Sequence, residues 1–292
     1  MNEAATLELE GVSLRAASTG ALRLRSDARA LGLIGDWGPL FQALVGQAKL
    51  GGGSARLLGC ELELALASGV VGFAACDPAL PTRFNATQYL EHAARLSHGA
   101  ATRAAREAQA ALARYGLGEL ARRRLSELLP HQVRALGIAQ ATLTLPPLVC
   151  LEEPLRGLDA ASADYVARLC AEAGSRARLI VSAAKLETIG PGRALLDQCD
   201  ELLWLEGETL VARGTPSELL APGDRYLLTV TGSSLSEFSL ALQNAGCQLR
   251  EPGEAGEYVV TLPPGESTDL LLDSALALGL VVLELEPLLG AH

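Results

Sequence analysis

Glu152 and Glu153 stand side by side at the end of an apolar run, in the stretch PPLVCLEEPLRGLD that covers residues 146–159. Adjacent acids at the carboxyl end of a buried strand suit two tasks: holding Mg²⁺ and polarising a water. A surface acid pair closing a strand would read the same if EEP stood alone. The Gly157-Leu158-Asp159 that follows makes the stretch specific. A second stretch with chemical meaning is GLIGDWGPLFQALVG, residues 32–46, which reads as a buried strand, a very short turn and an amphipathic helix. Gly35 and Gly38 sit where a phosphate-wrapping loop keeps its first two glycines. No Gly-Lys-Ser or Gly-Lys-Thr follows, and Pro39 begins the helix.

Such residues need a sheet to hold them. Short apolar strands alternate with helical stretches along the first 220 residues, the pattern of an α/β fold with a largely parallel sheet. TLELEGVSLRA and GALRLRS alternate in period two and predict an opening antiparallel pair. RALGLIG predicts a buried strand, PLFQALVGQAKL the helix after it, and residues 86–122 a long helical stretch ending at YGLGEL. A break falls at LLAPGDR, residues 219–225. Beyond it the pattern spells β-α-β-β-α-β, predicting a small ferredoxin-like α+β domain over 221–292.

Bulk properties remove several classes. With 292 residues the chain can bury one large core, or one core plus that of a smaller domain. A net charge of -10 and a pI near 5.0 argue against nucleic acid as the partner. Mean hydropathy is +0.24, but the longest uncharged runs are too short to span a bilayer, and MNEAATLELEG has no secretory pattern. The six cysteines show no CxxC pair and no metal-ligand spacing with the four histidines. Buried thiols in a reducing cytoplasm are the expectation.

The stretch PPLVCLEEPLRGLD resembles the Walker B strand and D-loop of ATP-binding cassette (ABC) ATPases. The resemblance extends over residues 6–220 in the family's order. VVGFAACDPALPTRFNATQYLEHAARLSHG is similar to the Q-loop and following helix of cassettes paired with type-2 export permeases, including drug-export and gliding-motility cassettes. RRRLSELLPHQVRALGIAQATL resembles the signature segment, and LLDQCDELLWLEGETLVARGTPSEL the closing helix and hairpin. The resemblance implies an ABC ATPase-like P-loop NTPase fold over 1–220, with a mixed sheet and a helical subdomain at about 77–135. That export group also carries a C-terminal β-α-β-β-α-β tail.

The departures from the family pattern fall on nucleotide chemistry. About four residues are missing between Gly38 and Phe41, so consecutive N–H groups cannot wrap a phosphate, and Pro39 has no N–H at all. Lys49 lies about 15 Å along a helix from Pro39, and Lys185 follows another strand, so neither replaces the missing lysine. Asp36 puts a negative charge beside the expected phosphate position or caps the helix, and Trp37 is expected to fill the vacated space. Leu128-Leu129-Pro130-His131-Gln132 stands where the family has Leu-Ser-Gly-Gly-Gln. The Q-loop glutamine position falls at Cys76 or Asp77, and the switch histidine is Ala184. No aromatic residue offers adenine a stacking face in SLRAASTGAL. Glu152 occupies the metal-binding aspartate position, Glu153 that of the catalytic carboxylate, and Asp159 keeps the D-loop acid.

Damage at five nucleotide-contacting points beside a kept scaffold implies a cassette that neither binds nor hydrolyses ATP in its own site. It implies a type-2 permease partner, a second cassette with intact motifs that holds ATP and Mg²⁺, and a place on the cytoplasmic face of the membrane. Partner ATP would face LLPHQ and Asp159, and the permease would meet the surface around residues 76–100. Two alternatives stand beside it: an active ATPase with a deviant site built on Glu153, and a free-standing scaffold without a permease.

Overall fold

The computed structural model describes residues 4–14, 21–98, 101–219, 225–250, 256–263 and 266–287. The break expected at 219–225 therefore lies almost wholly outside the described residues, as does the middle of SLRAASTGAL. The chain divides into two units, Met1–Leu219 and Leu220–His292.

The first unit opens with β1 (Leu7–Ser13), β2 (Leu22–Ser26), β3 (Ala30–Gly35), α1 (Gly38–Leu44), β4 (Gly52–Leu57), β5 (Cys60–Glu61), α2 (Leu62–Ala65) and β6 (Val71–Ala74). Helices α3 (Ala86–His98), α4 (Ala101–Arg114) and α5 (Pro130–Ala141) follow. The unit closes with β7 (Leu148–Leu151), α6 (Ala160–Arg176), β8 (Arg178–Ala183), α7 (Gly190–Leu196), β9 (Glu201–Glu206), β10 (Thr209–Gly214) and α8 (Pro216–Leu219).

Period-two alternation in β1 and β2 buries one face of an antiparallel sheet of order β2-β1-β4-β5. The second sheet, of order β10-β9-β3-β8-β7-β6, is parallel except for β10 at its edge. Its central strands are continuous apolar runs because both faces are covered: all four residues of LVCL in β7 are buried. One core joins the two sheets through Leu7, Leu9, Leu33, Phe41, Leu57 and Leu203, and Phe41 stacks on Phe73 at 5.9 Å.

Parallel pairing has a consequence for chemistry. The carboxyl ends of β3, β8, β7 and β6 fall on one edge, since Ile34 pairs with Ala183, Leu151 with Val181 and Ala74 with Leu151. The residues that follow those ends, Asp36, Ala184, Glu152 and Cys76, gather there.

Helix α1 is shorter than its sequence pattern. Val45 and Gly46 donate back to Phe41 O and Ala43 O, and Gly46 adopts φ +73°, a left-handed conformation that ends a helix. Residues 86–122 form α3 and α4 on either side of 99–100, which lie outside the described residues. The second unit runs β11 (Arg225–Thr231), α9 (Leu235–Asn244), β12 (Gln248–Arg250), β13 (Glu257–Thr261), α10 (Asp269–Ala277) and β14 (Val281–Pro287). Its sheet is antiparallel, of order β12-β13-β11-β14, over a core of its own that includes Leu228, Phe238, Tyr258 and Leu271.

Five of the six cysteines are buried, and Cys60 is half-buried. Burial pushes the Cys199 thiol up to about 12 and those of Cys150 and Cys170 higher still, which makes them inert at neutral pH. Among the described residues no helix is long and apolar enough to cross a membrane.

Candidate nucleotide site

The turn from β3 to α1 contains only Asp36 and Trp37. Its amides are already used. Asp36 N–H donates to Leu205 O at 3.3 Å, Trp37 N–H to Gly35 O at 2.8 Å, and Leu40 N–H to Trp37 O at 3.0 Å. Pro39 has no N–H, so Gly38 N–H alone is not engaged by these bonds. Trp37 is fully buried, and its indole Nε1 donates to Ile34 O at 3.1 Å and Leu203 O at 3.3 Å. The side chain lies in the core shared by the two sheets. Asp36 does not cap α1: its carboxylate accepts from Gly207 N–H at 2.9 Å, pinning the β9–β10 hairpin turn. The capping alternative for Asp36 is thereby corrected, and the reason is geometric, because Trp37 is the residue at the cap.

At the acidic edge, Glu152 Oε2 accepts from Cys76 N–H at 3.3 Å. Glu153 has φ +39°, a region that non-glycine residues rarely occupy, and its N–H donates to Ser182 Oγ at 3.0 Å. Its carboxylate lies 2.8 Å from Arg156 Nη1. Arg156 Nη2 donates to Asp77 Oδ2 at 2.7 Å, and Arg134 Nη2 donates to Asp77 Oδ1 at 3.2 Å and to Cys76 Sγ at 3.1 Å. The bonds from Arg156 and Arg134 hold the Asp77 carboxyl below the usual range for aspartate. Burial pushes the Cys76 thiol up against the opposing pull of Arg134.

Glu153, Arg156, Ser182, Ala184, Lys185 and Glu187 share a cavity of about 270 Å³. None of residues 35–38 lines it. Lys185 thus neighbours the acid rather than the shortened loop.

The segment Leu128–Gln132 starts α5. Leu129 is exposed at the cap position, and Pro130 takes the first helical place, where its missing N–H costs least. Gln132 Oε1 reaches back to accept from Leu129 N–H at 3.0 Å, while Leu129 itself offers no side-chain acceptor. His131 turns inward, edge-on to the Tyr165 ring at 5.9 Å. Its Nδ1 is 3.3 Å from Ser162 Oγ. Ser162 Oγ–H is committed to Asp159 Oδ2 at 2.7 Å, which leaves the serine oxygen to accept from His131 Nδ1–H. Asp159 also caps α6, accepting from Ser162 N–H at 3.0 Å, and this bond holds its carboxyl below the usual range.

No protein-family sequence model and no curated protein matches this chain. Solved structures do. The ATP-binding subunit of an ABC transporter superposes with a TM-score of 0.60 at 18% identity, covering 73% of this chain and 91% of the other. CbiO1 from Clostridium perfringens, part of the ABC transporter complex cbiONQ, gives 0.62 at 18% identity over 84% and 98%. The chain has the ABC cassette fold.

In that fold this edge would hold Mg²⁺ and a nucleotide. The Asp36 and Trp37 amides are bonded internally, Trp37 lies in the core, Glu152 accepts from Cys76 N–H, and Glu153 is ion-paired with Arg156 through a carboxylate oxygen that makes no hydrogen bond. Among the described residues no group of three or more His, Cys, Asp or Glu side chains could hold a metal ion. The structure brings together Cys76, Glu152, Glu153 and, through Ser182, the strand leading to Ala184. It also links Asp159 to His131. Sequence reasoning overlooked Arg134, Arg156 and Ser182. Arg156 carried a signal, since a basic residue three positions after Glu153 in a turn is placed to pair with it.

Proposed function

We propose that this chain is a non-hydrolysing ABC cassette, a subunit that docks a membrane permease of the type-2 export class and pairs with a second cassette whose nucleotide motifs are intact. The observation that carries this reading is the β3–α1 turn, where the amides a triphosphate would need are bonded internally and Trp37 occupies the space beneath. Oriented N–H groups do most of the binding in a phosphate loop, so a turn without them has lost the principal source of affinity. ATP and Mg²⁺ are then the partner's, and this chain meets them only across the interface, through the start of α5 and the Asp159–Ser162–His131 chain. The place of work is the cytoplasmic face of the membrane.

Support for docking comes from a groove of about 730 Å³ between the strand edge at Val71–Phe73, α3 at Ala93–Ser97, and the end of α5 with the turn after it, Gln140–Thr144. It falls partly within the surface around residues 76–100 that the resemblance assigns to the permease. Leu96, which lines it, is 77% exposed and so open to a partner.

Extraction from solubilised membranes tests the proposal. The chain is expected to co-purify with a type-2 permease and a second cassette, and Leu96→Glu is expected to lower that recovery by about tenfold, the equivalent of ~1.4 kcal/mol. Recovery of the chain alone, at the same yield for both proteins, would instead favour the free-standing scaffold.

A further inference from the structure

Two guanidinium groups converge where the fold would place a metal-nucleotide. Arg134, on α5, is about nine-tenths buried, and its Nη2 reaches Cys76 and Asp77 after β6 and, at 3.5 Å, the Arg156 carbonyl after β7. Arg156 bridges Asp77 and Glu153 at 2.7 and 2.8 Å. The helix that begins at the signature position, the loop after β6 and the acidic turn after β7 are thus tied into one network. Each tie uses a charge of this chain.

We propose that Arg156, with Arg134 behind it, is a built-in cation that supplies the positive charge a Mg²⁺-nucleotide would bring to this edge and so fixes α5 to the sheet without any ligand. The inference rests on the non-hydrolysing reading of the same acids. Charge balance supports it: Glu153 and Asp77 share the Arg156 fork, and Asp77 also neutralises Arg134, which would otherwise be a buried charge without a counter-ion. Geometry supports it as well. A guanidinium pairs with carboxylates through a planar fork, and here one Arg156 nitrogen faces Asp77 and the other faces Glu153. The consequence is conformational. In a nucleotide-driven subunit the position of the helices would follow the ligand. Here it is held by side chains that are always present.

Hydrogen exchange of the full chain, without nucleotide or partner, tests this. Arg156→Ala is expected to speed amide exchange in residues 76–77 and the first turns of α5 by about tenfold, leaving β1, β2 and β4 unchanged. Ethylguanidinium is expected to restore the slow exchange, because more than half of the Arg156 side chain is exposed and its place can be reached from solvent. Millimolar MgCl₂ is expected to leave the unaltered protein as it is. Exchange in Arg156→Ala equal to that of the parent would overturn the proposal. So would a loss that ethylguanidinium does not restore, or slowing of the parent by MgCl₂. Should Arg156→Ala fail to fold, Asp77→Asn serves: its carboxylate is largely exposed, and the same local acceleration in α5 is expected, its absence counting against the network. No nucleotide or permease enters the measurement, so its failure would leave the docking proposal standing.

Discussion

Trp37→Ala is expected to destabilise the amino-terminal unit by about 3–5 kcal/mol, the range for truncating a large buried aromatic side chain. Trp37 is the largest of the fully buried side chains, and its indole N–H serves two strand-end carbonyls, Ile34 O and Leu203 O. Truncation leaves a cavity in the core between the two sheets and removes the only donor that the indole brought to those carbonyls. Trp37→Phe separates the contributions: most of the apolar packing stays, and the lost donor costs about 1–3 kcal/mol. Denaturant melts followed by circular dichroism measure both, with the carboxyl-terminal unit's transition treated separately. The enlarged space is not expected to admit ATP, because the amides of Asp36 and Trp37 stay bonded. A loss below about 1 kcal/mol for the alanine variant would mean that the indole does not fill the site.

The second large effect separates two glycines that the sequence presents as equivalent. Gly35→Ala is expected to cost more than about 2 kcal/mol, whereas Gly38→Ala is expected to be neutral or to stabilise by about 0.4–1 kcal/mol. Gly35 has φ +91°, and a Cβ built there would lie 2.0 Å from the Leu205 carbonyl oxygen, inside the β3–β9 pairing. The strand would have to move for the methyl to fit. Gly38 has open space around it and sits at the start of α1, where alanine is the better helix former. Gly35 therefore persists for a reason that has nothing to do with phosphate: β9 approaches too closely for any side chain. Equal costs at both positions, read from the same melts, would contradict this assignment.

Much of the architecture was legible because it rests on periodicity. The buried runs GLIG and LVCL, the alternation in LELEGVS and the β-α-β-β-α-β order after residue 225 each follow from which face an element must hide. The short turn between β3 and α1 was legible too, since it is a matter of counting residues between the buried run and Pro39. What became of its parts was not. Asp36 and Trp37 acquire their roles from Gly207, Leu203 and Leu205, about 170 positions away, and pattern reading carries no information on such contacts. The arginine network lay beyond reach for the same reason, apart from the Glu153–Arg156 spacing. Asp159 shows how a motif position can mislead. The acid stands at the position the resemblance assigns to the D-loop, yet its carboxylate accepts from Ser162 N–H and Ser162 Oγ–H, the bonds of a helix cap.

Isothermal calorimetry of the purified chain with MgATP addresses the central claim most directly. No saturable heat is expected, with any dissociation constant weaker than about 1 mM, because the Asp36 and Trp37 amides that would meet a triphosphate are bonded within the protein. Saturable, Mg²⁺-dependent binding in the micromolar range would contradict it. The turn between Gly35 and Gly38 would then have to open, releasing Trp37 from the core to make room.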